Sequence, residues 1–208
     1  MLTEEKINAN FLKFRNYLEK YDCFSEEMFN EIGEKIKYAP FSREKEYGGA
    51  EPGSLIDVTL NKLCKIGAEI NTNTLGQNGK EKFLHPVLCV NQRMLMRVLL
   101  LCNIGKAEMF VRTEDTWKLN KGINYDFVEN KTKMKLGQRS LYLCQKYGIQ
   151  LEEEEFDAFY SIDKTEEGSE GFNSPLYTIV KAAKAFTLVE LRQEYLREIE
   201  NNKQTKEK

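Results

Sequence analysis

The chain has 208 residues, 41% of them hydrophobic and 31% charged, with a formal net charge of -2. This is the profile of a water-compatible globular protein, long enough for one large domain or two small ones. It carries no overall basic field of the kind that advertises nucleic-acid binding.

No apolar run approaches the ~20 residues that span a bilayer. The longest, Met94 to Cys102, is interrupted by Arg97. The opening MLTEEKINANF is acidic and amphipathic, unlike a secretory signal. The five cysteines, Cys23, Cys64, Cys89, Cys102 and Cys144, form no CxxC pair. That argues against a zinc ribbon and for free thiols in a reducing cytoplasm.

In chain order, Ile7, Phe11, Phe14, Tyr17, Leu18 and Tyr21 recur at helical spacing. Ser25 followed by Glu26, Glu27 and Met28 reads as a helix cap, and Ala39-Pro40 stops that second helix near Tyr38. Residues 40–53 hold Tyr47-Gly48-Gly49 and Pro52-Gly53 and read as a loop. A third helix presents Leu55, Ile56, Leu60, Leu63 and Ile66. Residues 71–82 read as a polar loop, and a fourth helix is expected from His85-Pro86 to Cys102. Three β-favouring runs follow, at Met109 to Arg112, Thr116 to Leu119 and Tyr125 to Val128, predicting a hairpin or meander over about 108–130. Helices return at 137–147 and 152–160, the latter opening on four glutamates suited to a helix N-terminus. Residues 163–171 form a polar loop. Ser174-Pro175 opens a last helix, or a pair of them, toward Ile199, and 201–208 reads as a disordered polar tail. The expectation is a mainly α fold with a small β insert. Residues 1–38 form N-terminal helices that pack on a helical body spanning 39–200.

Several stretches, taken in order, resemble the HD-domain phosphohydrolases, in particular the compact versions carried by phages and prophages. Ala39-Pro40 and Ser42, then Tyr47-Gly48 and Gly53-Ser54-Leu55, are similar to the family's entry loop. Leu100-Leu101-Cys102-Asn103-Ile104-Gly105-Lys106 resembles its Leu-Leu-His-Asp-Ile-Gly-Lys signature. The insert with Trp117 and Tyr125 follows at the expected place. Met134 to Ser140 resembles the segment Leu-Gly-His-Gly-Glu-Arg-Ser. Ser174 to Lys184 resembles the closing helix that carries His-Ala-Asp. The resemblance covers about residues 39–192 and implies an HD-like helical bundle.

In that family, His, a His-Asp pair and a later Asp bind one or two metals that activate water against a phosphate ester or anhydride. Carried onto this chain, the first His falls on Val58, the His-Asp pair on Cys102 and Asn103, and the later Asp on Lys184. Auxiliary histidines fall on Leu136 and near Ser161 or Ile162. Val and Leu bind no metal, Asn is a weak neutral ligand, and Lys opposes a cation, which leaves Cys102 alone. The resemblance therefore implies a degenerate member with no metal or other cofactor and no catalytic residue. His85 is the single histidine. It lies ~25 Å from Cys102 at the helical rise of 1.5 Å per residue, too far to pair with that thiol.

The substitutions also change the sign of the site. Lys184 replaces an acid, Lys106 is kept, and Lys135, Arg139 and Lys181 lie nearby in the alignment. Ammonium and guanidinium groups without a metal suit a phosphate. The expected function is binding without hydrolysis of a nucleotide, cyclic nucleotide or nucleic-acid end, in a host's cytoplasm and in evasion of its defences if the chain is phage-encoded. Two alternatives stand beside it. One is a protein-interaction or structural module with its old pocket filled by Val58 and Leu136, using the aromatics of the insert. The other is a phosphohydrolase with relocated ligands.

Overall fold

A computed structural model describes residues 2–73, 90–129, 133–162 and 173–206. His85, Cys89, residues 74–82 of the loop expected at 71–82 and the loop expected at 163–171 lie outside the described residues, while 71–73 of that first loop are helical. The fold is mainly α, with one two-stranded antiparallel sheet. Among the described residues no helix is long and apolar enough to cross a membrane.

The first helix, α1 (Glu4–Lys20), starts where the Thr3 hydroxyl accepts from the Lys6 amide, and Glu4 and Glu5 favour the positive end of its dipole. It buries Ile7, Asn10, Phe14 and Leu18 along one face. Helix α2 (Glu26–Tyr38) is capped by Ser25 and buries Met28, Ile32 and Ile36. It ends at Ala39, which is extended as a residue before proline must be. Together α1 and α2 pack against α3 (Ser54–Val58), α5 (Gln92–Leu101) and α6 (Lys106–Met109).

The third predicted helix is one rod with a flaw. After α3 the winding loosens into a π turn over Thr59–Leu63 before α4 (Cys64–Asn73) resumes ordinary geometry. Helix α5 begins later than expected. Its cap is Asn91, whose side chain accepts from the Arg93 amide. All seven residues from Leu95 to Leu101 are buried, which makes α5 the central element.

Beyond α6, strand β1 (Phe110–Arg112) pairs with β2 (Tyr125–Phe127), Phe110 opposite Phe127. The middle β-favouring run is instead helical, as α7 (Thr116–Asn120). Asp115 decides this, because its carboxylate accepts from the Trp117 and Lys118 amides and turns the chain into a helix. Helices α8 (Leu136–Lys146) and α9 (Glu153–Ser161) pack on one another.

The last helix, α10 (Pro175–Lys206), is single and 32 residues long, about 48 Å at the α-helical rise. It starts with the Ser174 hydroxyl accepting from Tyr177 and continues through the stretch read as a tail. Polar residues there cost a helix little once a packed segment has nucleated it. Its core face is Leu176, Ile179, Val180, Ala183, Thr187 and Leu191. Cys23, Cys64, Cys102 and Cys144 are all buried free thiols. Burial pushes the Cys23 thiol up to about 12 and raises Cys64 and Cys144 as well.

One ion pair lies inside this core. Arg97 and Glu155 are both almost fully buried, with Nε 2.6 Å from the carboxylate. Glu155→Gln should therefore cost about 3–5 kcal/mol in urea unfolding, since it strands a buried guanidinium. Arg97→Met combined with Glu155→Leu should cost far less than the sum of the two single changes.

Candidate functional site

The turn from Cys102 to Gly105 joins α5 to α6 and is the region that resembles the catalytic signature. Cys102 is fully buried and its thiol points to the Leu99 carbonyl, 3.7 Å away. Gly105 approaches α8 so closely that a Cβ would lie 2.9 Å from Arg139 Cγ and 3.0 Å from the Ser140 amide. Ser140 fixes this turn. Its hydroxyl accepts from the Gly105 amide and donates to the Cys102 carbonyl, both at 3.0 Å. The Gly105 amide is thereby committed within the protein.

The two lysines that the alignment placed together are close enough to act on one another. The Lys106 ammonium donates to the Phe41 carbonyl and lies 3.7 Å from the centre of the Phe41 ring. Burial, and then the charge of Lys184, lower it from the usual lysine range to about 7. The nearby Cys102 acts weakly the other way, and among the described residues no carboxylate contributes. Lys184 sits on α10, half-buried, and has no ion pair among the described residues.

The remaining expected cations divide. Arg139 is buried, and its Nη1 lies 3.7 Å from a Glu108 oxygen. Lys135 is exposed at the start of α8, where its amide is capped by the Gln138 side chain. Lys181 is exposed, with its ammonium 5.7 Å from the Tyr177 ring.

The residues aligned with metal ligands do not fit a divalent cation. Val58 is buried and has no donor atom, and Leu136, half-buried at the start of α8, has none either. Cys102 turns its thiol to a carbonyl, Lys184 brings positive charge, and Asn103 offers one neutral oxygen. Among the described residues no group of three or more His, Cys, Asp or Glu is placed to hold a metal ion. Asp57, next to Val58, turns away and accepts from Asn10 and Asn61, each at 2.9 Å.

Two open clefts flank the region. One, of about 490 Å³, runs between α2 and the hairpin and is lined by Tyr38, Pro40, Phe110, Val111 and Val128 among others. The other, of about 420 Å³, lies between residues 45–51 and α10, with Val58 in its wall. Neither is lined by Lys106 or Lys184.

Sequence reasoning missed Phe41, which seats Lys106, and the clamp role of Ser140. Both lie inside stretches that carry the resemblance, but their roles depend on elements far apart in the chain. Comparison with known protein families, with characterised proteins and with solved structures finds no match to this chain.

The lowered lysine has a measurable consequence. Between about 7 and about 10.5 the unfolded chain holds a proton on Lys106 that the folded chain has lost. Folding stability should therefore rise with pH across that window. Urea midpoints at its two ends should differ less in Lys106→Met than in the parent chain.

Proposed function

We propose that this chain is a catalytically inactive HD-like protein that binds a phosphate-bearing ligand, such as a nucleotide or cyclic nucleotide, without hydrolysing it. The observation that carries the reading is the Lys106–Lys184 pair. Two ammonium groups act on one another at the remnant of a metal-site motif, and no carboxylate among the described residues contributes at Lys106. Bringing like charges together is unfavourable unless one sheds its proton, as Lys106 does above about 7, or an anion neutralises them, and phosphate spreads charge over several acceptor oxygens suited to the second task. Residues that would activate water are replaced by Val58, Cys102, Asn103 and Lys184, which leaves binding rather than turnover.

The second reading, a protein-interaction module, is favoured by the hairpin region. Val111, Trp117 and Phe127 there are each more than half exposed. Exposed aromatics in one neighbourhood are the usual material of an interface core.

Thermal-shift titration with pyrophosphate, nucleoside triphosphates and cyclic dinucleotides, in EDTA, separates the two. A ligand at 100 times its Kd adds about 2.7 kcal/mol of stability. The expected result is a metal-independent shift that Lys184→Glu abolishes and that weakens as pH rises through 7, where Lys106 sheds its proton. Unchanged binding in Lys184→Glu, or release of phosphate with added Mn²⁺, would overturn the reading.

A further inference from the structure

Asn103 poses a problem that the phosphate reading leaves untouched. Its side chain is fully buried, yet neither Oδ1 nor Nδ2 has a hydrogen-bond partner among the described residues. Leaving a buried amide unpaired costs about 1–3 kcal/mol for each lost group, so such a residue in a folded core calls for a partner.

The packing around it suggests one. Asn103 borders a small cavity whose walls are mostly apolar, supplied by Phe14, Ile36, Leu55 and Leu100, with Thr59 as the other polar lining residue. Thr59 is 2% exposed and is the residue at which the third helical rod enters its π turn. A π turn departs from the regular hydrogen-bond ladder, and such turns are frequent at functional sites. The cavity measures about 10 Å³, the lower edge of what one water molecule needs and too little for an organic ligand.

We infer that this cavity is a binding site for a single internal water, held by the Asn103 amide at the π turn. The chemistry selects the occupant. An amide with both its oxygen and its nitrogen open needs a partner that donates and accepts at once. A cation would satisfy Oδ1 and repel Nδ2, and an anion the reverse. Water does both, and the cavity admits nothing larger. The site lies where α1, α2 and α3 meet the end of α5, so the water is a bridging component of that junction.

Two measurements test this. Water-to-amide cross-relaxation at the Asn103 side chain, read by NMR on the full chain, should show a long-lived water. Asn103→Leu, which removes both polar atoms and fills the space, should melt level with or above the parent chain, and a markedly lower melting temperature would count against an amide held only by water. Asn103→Asp should melt lower, and more so at neutral than at acid pH, because it buries a charge. If the parent chain shows no long-lived water at this position, or if a high-resolution crystal structure shows a dry cavity with Asn103 bonded only to protein atoms, the inference falls. The NMR result on the parent chain decides the matter even if a variant does not fold.

Discussion

The guanidinium of Arg97 is the point on which the helices are oriented. From Leu95 to Leu101 α5 is buried and apolar except for this residue, and a buried positive charge tolerates few arrangements. Its nitrogens reach Glu155 at the start of α9, the carbonyl of Asp22 between α1 and α2, and the carbonyl of Gln150 before α9. Two segments distant in the chain, the turn at Asp22 and the stretch from Gln150 to Glu155, are thus referred to one planar group on α5. The second carboxylate oxygen of Glu155 accepts from the Glu152 amide, so the same residue caps its own helix. Asp22 adopts a left-handed backbone (φ 53°), a conformation that aspartate tolerates better than most side chains. Hydrophobic burial drives the collapse, but apolar faces alone would let α5 rotate or slide. The ion pair adds a directional contact between α5 and α9 that apolar faces lack.

The same requirement shapes the motif turn. With α5 fixed, Cys102 to Gly105 arrives against α8 at a distance only glycine permits, and Ser140 stitches the two backbones together. Lys106 then leaves the turn toward Phe41, whose carbonyl and ring give a lysine a tolerable place inside the protein. Lys184 comes from a different part of the chain, on α10. The proposed anion site is therefore assembled from the 40–53 loop, the motif turn and the last helix, and its electrostatics follow from how those three are held.

Much of this was legible in the residues. Caps at Ser25 and Ser174, the stop at Ala39-Pro40, and the apolar spacing of α1 and of the rod that begins with α3 all act locally and leave local signatures. Where local signals competed, the reading went astray. Trp117 and Leu119 favour a strand by composition, and the Asp115 cap overrules them. The tail from Asn201 is polar enough to fray but continues a helix anchored by Leu176 to Leu191. Arg97 marked the apolar run as unfit for a membrane, but its partner Glu155 lies 58 positions away, and nothing in spacing could name it. The π turn at Thr59 is likewise set by tertiary packing. For the site, the alignment named five cations, Lys106, Lys135, Arg139, Lys181 and Lys184, of which Lys106 and Lys184 act on one another, while the seat of Lys106 at Phe41 needed coordinates.

The buried thiols of Cys23, Cys64, Cys102 and Cys144 make the core its own clock. A thiol reacts as its thiolate and only where a reagent can reach it, so alkylation at these four positions must wait for the helices to part. They are spread over the segment after α1, the α4 rod, the motif turn and α8. The order in which they take up label would trace which part of the bundle opens first.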